Sequence, residues 1–390
     1  MAPSTKAYAL VLVVTALSTL ALTPLVRVLA FRIGAVVRPD ERRVHERPTP
    51  TLGGLAMVGG LLVGMAVAWR LDALSEVFAG NTEPLGVVLA AVLMLSVGVL
   101  DDLREVSAPA KVAGIAVPAT VLVLSGVSIL VLRIPFQGTF VLSPDWSYLL
   151  SVLWVIGMAN AINLIDGLDG LAAGIVAIAS GAFFLYTLRL TDVGLLAEGN
   201  IGPLLAVTVL GMCLGFLPFN VHPARIFMGD GGALTLGLLL AASTMVVGGR
   251  TDQPFSGQSF FFFAPLFIPL VILGVPILDT ALAIVRRATR RTGVATADKD
   301  HLHHRLMRLG HGHRRSVLIL WGWTALLSGL VLYPTYTGKG DAIVPIGIAA
   351  LGLALFTVLH PTLRRVRPEV DGTAAADDVT GPPGEVARRS

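Results

Sequence analysis

Eleven apolar runs recur along the chain, near residues 7–30, 51–70, 84–100, 111–128, 148–165, 171–189, 202–219, 232–249, 261–285, 316–334 and 342–360. Each approaches the roughly 20 residues that a helix needs to cross a bilayer. With 54% hydrophobic and 14% charged residues and a mean hydropathy of +0.78, a water-soluble fold would leave far too much apolar surface uncovered. The expected fold class is therefore an all-α polytopic membrane protein of about eleven transmembrane helices. Residues 1–363 form one integral membrane domain in this reading. Residues 364–390, polar and rich in Pro, Gly, Ala and Asp, are expected to form a disordered tail. Pro118 falls inside the fourth run, and Pro265, Pro269 and Pro276 should kink the ninth. Between the fourth and fifth runs, Ile129 to Leu142 has β-favouring flanks around Pro-Phe-Gln-Gly. A small outer-face hairpin and a looser continuation of the fourth helix both fit.

The charges orient the chain. Lys6 alone precedes the first run, whereas Arg32, Arg38, Arg42, Arg43 and Arg47 follow it. A cleaved leader carries its charge in front, so the first run reads as a retained helix with its N-terminus outside. Eleven spans then leave the C-terminus in the cytoplasm of a cell bounded by this plasma membrane. The net charge of +4 sits in loops between spans, a pattern that sets topology and excludes a nucleic-acid-binding face. Cys213 stands alone, so there is no intramolecular disulfide and no cysteine-based metal site.

On this topology the connections after odd-numbered spans share the cytoplasmic face. They are ERRVHERPTPTLGG, DDLREVSAPAK, NLIDGLDG, FNVHPARIFMGDGG and a long segment from Arg286 to Arg315. Nearly all the histidines, paired aspartates and clustered arginines fall there. Reactive groups at helix ends on one face suit an enzyme taking a water-soluble substrate; a transporter would be expected to place them nearer the midplane.

Within these segments, Asn160, Asn163, Asp166 and Asp169 recur every third residue at the end of the fifth span, a spacing that lets them face a common cavity. Helix caps and turn residues would account for one Asn and one Asp. Asp101 and Asp102 end the third span, and adjacent side chains on a helix diverge, so the two need not hold one ion together. Lys111 could hold a phosphate as a point charge, or simply mark the bilayer boundary. In Phe227-Met228-Gly229-Asp230-Gly231-Gly232, Asp230 is either an N-cap or a ligand for a hard cation, and Phe227 is either a stacking surface for a base or a buried anchor. Asp298, His301, His303, His304 and Arg305 lack the spacing of a zinc motif and better fit a pyrophosphate cradle. His311 and His313 read as loop residues without a role, and His45 is ambiguous between a substrate loop and membrane-surface charge.

Asp101-Asp102, NAINLIDGLDG, FMGDGG and HLHHR in this order, across residues 7 to 360, resemble the polyprenyl-phosphate N-acetylhexosamine-1-phosphate transferase family. HLHH with RRVHERPTPTLGG is similar to its bacterial GlcNAc-1-phosphate transferases, which start cell-envelope polysaccharides; the MurNAc-pentapeptide transferases usually carry three successive histidines. The resemblance implies transfer of a sugar 1-phosphate from a UDP-sugar to a polyprenyl phosphate, with Mg²⁺, or Mn²⁺ in its place, as cofactor. It implies Asp230, with Asn163 as a second group, as metal ligands. Asp101 and Asp102 would orient or deprotonate the lipid phosphate or help hold the metal. Lys111, His301, His303, His304 and Arg305 would clamp the phosphates; Asp166, Asp169 and Phe227 would meet the uridine and its neighbouring groups, the two aspartates counting with Asp101 and Asp102 as catalytic candidates; Asn160 and Asp298 are further substrate-binding candidates. A homodimer is left open. The alternatives are the MurNAc-pentapeptide reaction and, in a different class, an ion-coupled carrier of a lipid or nucleotide.

Overall fold

The computed structural model describes residues 5–37, 48–104, 106–134, 138–248, 306–307, 311–338 and 343–365. The expected ninth span, Asp298 to Arg305, His45 and nearly all of the expected tail lie outside the described residues. Among the described residues eight helices are long and apolar enough to cross a membrane. These are α1 (Thr5–Arg32), α2 (Gly53–Arg70), α4 (Glu83–Arg104), α6 (Pro144–Ile165), α7 (Leu171–Asp192), α8 (Gly202–Asn220), α9 (Gly229–Gly248) and α10 (His313–Thr337). Two further helices, α5 (Ala108–Leu124) and α11 (Ile343–Arg365), have shorter apolar stretches at the fourth and eleventh runs. The four-residue α3 (Ser75–Phe78) lies in the α2–α4 connection. The protein is an all-α polytopic membrane protein, with two small antiparallel sheets among the described residues.

One sheet settles the Ile129–Leu142 alternative in favour of the hairpin. β3 (Val131–Ile134) pairs with β4 (Gly138–Val141), Val131 opposite Val141 and Ile134 opposite Gly138. The other, β1 (Val36–Val37) with β2 (Thr49–Pro50), pinches the α1–α2 connection closed at the membrane end where the motifs lie.

The bundle is built around α9. Its span is 94% buried, against 22% for α1, whose outer face is left for lipid. α9 packs on α2, α4, α6 and α8. Small residues permit the close crossings: a Cβ on Gly54 would collide with the Gly232 backbone, and one on Gly98 with Gly231. In a bilayer such close van der Waals packing has to supply much of the cohesion, because burial from lipid supplies little.

Candidate active site

A cleft of about 290 Å³ opens where α4 and α6 end and α9 begins, lined by Thr51, Asp102, Asn163, Asp166, Asp169, Phe227 and Asp230 among others. That volume is close to the lower end of the ~300–1,000 Å³ range of small-molecule sites.

Backbone pairing sets one rim. Phe227 N donates to Pro50 O, Gly53 N to Phe227 O and Gly54 N to Met228 O, each at 2.9 Å. The TPTLGG segment is thereby zipped to the segment that leads into α9. Leu52 between them has φ 77°, the one non-glycine positive φ among the described residues, a strained conformation held by its burial with Ala30 and Ala35.

The two adjacent aspartates do diverge. Asp101 Oδ2 lies 2.7 Å from Lys111 Nζ, and Asp101 Oδ1 accepts from Val106 N at 2.8 Å. Asp102 turns to α9, accepting from Asp230 N at 3.0 Å and Gly231 N at 3.4 Å. The first-turn amides of a helix lack intrahelical acceptors, so Asp102 caps α9 from 128 positions away. Gly229 has φ 69°, and a Cβ there would strike both Asp102 Oδ2 and Thr51 Oγ1; only glycine lets the carboxylate reach those amides.

Asp102, and not the Asp230 side chain, therefore accepts from the first-turn amides of α9. Asp230 sits in the first turn of α9, but its side chain points into the cleft and is bonded to Lys111. With its amide turned to suit both neighbours, Asn163 accepts from Lys111 Nζ and donates to Asp230 Oδ1, each at 2.9 Å. Lys111 is thus shared among Asp101, Asp230 and Asn163.

The opposite wall is the Asp166–Gly170 turn. Gly170 takes φ 76° at the start of α7, and its N–H donates to Asn220 Oδ1 at 3.1 Å while Asn220 Nδ2 donates to Ile226 O at 3.1 Å. Asp169, 4% exposed, accepts at Oδ2 from His222 Nδ1 at 2.8 Å and Ala224 N at 3.0 Å. Burial first, then the nearby charges of Asp230, Asp102 and Asp169, pushes the Asp166 carboxyl up to about 8.

Asp101, Lys111 and Asn160 are the described candidates outside the cleft lining; Asp101 and Lys111 connect to it through Asp230, whereas the Asn160 amide donates to Ile156 O at 2.8 Å in its own helix. His311 and His313, expected to have no role, both have defined places. His311 Nε2 donates to Thr357 O at 2.7 Å, tying the approach to α10 onto α11. His313 stacks on His222, ring centroids 4.2 Å apart and planes 25° apart, with Nε2 4.0 Å from Asp169 Oδ2. Thr51, Asn220 and His222 also went unassigned from sequence. Their sole sequence signal is membership of the TPTLGG and FNVHPAR segments.

Asp102, Asn163, Asp166 and Asp230 offer oxygen donors without a thiolate, the donor chemistry of a hard divalent cation. Asp169, His222 and His313 also bring three ligand atoms within 4.8 Å of one another. Their near-parallel stacked rings aim the nitrogen lone pairs alongside each other instead of at one point, which suits a hydrogen-bonded cluster better than an ion.

The chain is similar to known proteins over most of its length. Residues 84–248 match the model of glycosyl transferase family 4. A decaprenyl-phosphate N-acetylglucosaminephosphotransferase of Mycolicibacterium smegmatis is 40% identical over 92% of this chain and 89% of its own. A probable undecaprenyl-phosphate N-acetylglucosaminyl 1-phosphate transferase of Bacillus subtilis is 36% identical over 82% and 83%. A phospho-N-acetylmuramoyl-pentapeptide-transferase of Desulforudis audaxviator is 32% identical over 78% and 91%. With motifs, helical bundle and end-to-end similarity in accord, the chain belongs to glycosyl transferase family 4, the polyprenyl-phosphate N-acetylhexosamine-1-phosphate transferases.

Proposed function

We propose that the protein transfers GlcNAc-1-phosphate from UDP-GlcNAc to a polyprenyl phosphate, on the cytoplasmic face of the plasma membrane, as the first step of a cell-envelope polysaccharide. An oxygen of the lipid phosphate attacks the β-phosphorus of the donor. The bond from that phosphorus to the bridging oxygen breaks, UMP leaves with the oxygen, and polyprenyl-diphospho-GlcNAc remains in the membrane. The observation that carries this reading is the pairing of an oxygen-rich cleft at the membrane end with relatives whose names specify GlcNAc phosphate transfer at 40% and 36% identity, above the 32% of the MurNAc-pentapeptide relative.

Asp230 and Asn163, with the adjoining carboxylates, fit Mg²⁺, which when bound would neutralise pyrophosphate charge and stabilise the departing UMP. The chain's own groups do the rest. Lys111, held by Asp101 and Asp230, supplies a positive charge next to the reacting phosphates. Asp102 is committed to the α9 amides, so its task is to hold the Asp230 backbone still. A phosphate monoester is already largely ionised near neutral pH, so positioning and charge neutralisation suffice without a general base. Phe227 and Asp169 line the cleft and would meet the uridine.

The test is purified protein with magnesium, a polyprenyl phosphate and either UDP-GlcNAc or UDP-MurNAc-pentapeptide, scoring lipid-linked sugar and UMP. GlcNAc-lipid and UMP are expected from the first donor; turnover of the second alone would reverse the assignment, and no product from either would point to the carrier. For orientation, a cysteine replacing Ser107 in a Cys213→Ala background should be protected from an impermeant thiol reagent in intact cells, and labelling there would overturn the cytoplasmic placement.

A further inference from the structure

His222 and His313 lie behind the wall of the cleft, and neither is among its lining residues. They belong to segments far apart in sequence: His222 follows α8, and His313 opens α10. What brings them together is packing below the site. Trp321 of α10 lies over Gly174 of α7, and Trp321 Nε1 donates to Leu171 O at 3.4 Å. Arg314 Nη2 donates to His222 O at 3.2 Å. α10 is thus docked on the start of α7, immediately after the turn that carries Asp169.

We infer that His222 and His313 form a stacked clamp that fixes the Asp169 carboxylate for reading the nucleobase of the donor, and that both are positioning residues. The inference rests on the uridine-nucleotide donor proposed above. The geometry has two parts. His222 Nδ1 and Ala224 N both donate to Asp169 Oδ2, so two donors on one oxygen fix the plane of a carboxylate that lines the cleft. His313, whose side chain is 7% exposed against 35% for His222, backs the His222 ring and removes its freedom to swing away. A carboxylate held in this way is an acceptor of fixed direction. Uracil presents an imide N–H to such an acceptor, whereas cytosine presents a lone pair at the equivalent ring position. An acceptor facing a lone pair is left unsatisfied, the arrangement by which polar sites discriminate most strongly. Free rotation of the carboxylate would blur that distinction without touching the phosphate chemistry across the cleft.

The experiment uses the full-length protein with four variants: His222→Ala, His222→Asn, His313→Ala and His313→Phe. Asparagine places an amide N–H near the position of Nδ1, and phenylalanine keeps a flat ring behind His222. Both alanine variants should raise KM for UDP-GlcNAc about tenfold, the scale of one hydrogen bond to a charged group, with kcat and KM for the lipid little changed. They should also narrow the preference for UMP over CMP as inhibitor. His222→Asn and His313→Phe should recover most of both losses. Unchanged donor KM and unchanged UMP preference in the alanine variants would overturn the clamp. So would His313→Phe behaving like His313→Ala with a lowered melting temperature, which is the signature of packing alone. Wild-type protein that binds UMP and CMP equally would overturn the nucleobase role. Wild type that makes no GlcNAc-lipid, yet binds UMP in a calorimetric titration, would instead sink the donor reading while the same titration on the variants continues to judge the clamp.

Discussion

The two walls of the cleft both carry aspartates but manage their charge differently. On the α4–α5–α9 wall, Asp101 and Asp230 share the Lys111 ammonium and Asp102 takes helix amides, all from groups rooted in helices. On the opposite wall, Asp169 is satisfied by an imidazole and a connection amide, and Asp166 is crowded by other carboxylates. The first wall is balanced by a cation and braced by glycine crossings, so it suits a task in which charge has to be held at a fixed place. The second is anchored through turns and hydrogen bonds, so it suits recognition by direction.

The largest expected effect lies on the helical wall. Asp230→Asn should lower kcat by about a hundredfold or more, the scale of losing one charge-stabilising group in a transition state, across a magnesium titration. Its thermal stability should hold, because Asp102 and not Asp230 caps α9. Near-normal turnover at ordinary magnesium would break the contrast between the walls.

Gly229→Ala on the same wall should behave in the opposite way, acting first on stability. The strained φ alone is worth about 1–3 kcal/mol, and the collision with Asp102 adds to it, so a lowered melting temperature in detergent is the readout. On the turn wall, Asn220→Ala leaves Gly170 N and Ile226 O without their partner. It should destabilise by about 1–3 kcal/mol and raise donor KM more than it lowers kcat; a pure kcat effect would erase the distinction. The smallest effect is expected from Asn160→Ala, whose activity should stay within about threefold of wild type because the side chain is tied to its own helix by a part-buried bond of a kind worth about 1 kcal/mol. A severe loss there would extend the turn wall to include it.

Periodicity and charge made the helices legible, and the hairpin followed from the β-rich flanks of Pro-Phe-Gln-Gly. The divergence of Asp101 and Asp102 was legible too, because it is a property of one helix turn. Their partners were not. Asp102 meets amides 128 and 129 residues away, and a carboxylate before a loop carries no mark of which helix it will cap. Asp230 reads equally as cap or ligand in sequence, and only the fold shows that Asp102 takes the α9 amides in its place. Asn163 and Asn160 have the same spacing relation to the cleft, and the end of the helix at Ile165 leaves Asn163 near the opening and Asn160 a turn deeper. His313 gave no signal because its role depends on a ring contributed 91 residues earlier. The two-residue pairing of β1 with β2 likewise depends on tertiary contacts and not on local propensity.

The central position of α9 has a consequence for how the protein is made. The helices described as packing most closely on it, α2, α4, α6 and α8, all precede it in the chain, and synthesis proceeds from the N-terminus. By the time the ribosome delivers Gly229 to Gly248, the socket has already been translated and handed to the membrane. α9 can therefore enter against protein surfaces and not against lipid, which accommodates its mean hydropathy of 1.5, compared with 2.2 for α1, and brings Asp230 to its lysine during insertion. A nascent chain ending before residue 229 would carry the four helices that pack on α9 but not Asp230, so the cleft lining is complete only once this helix is added.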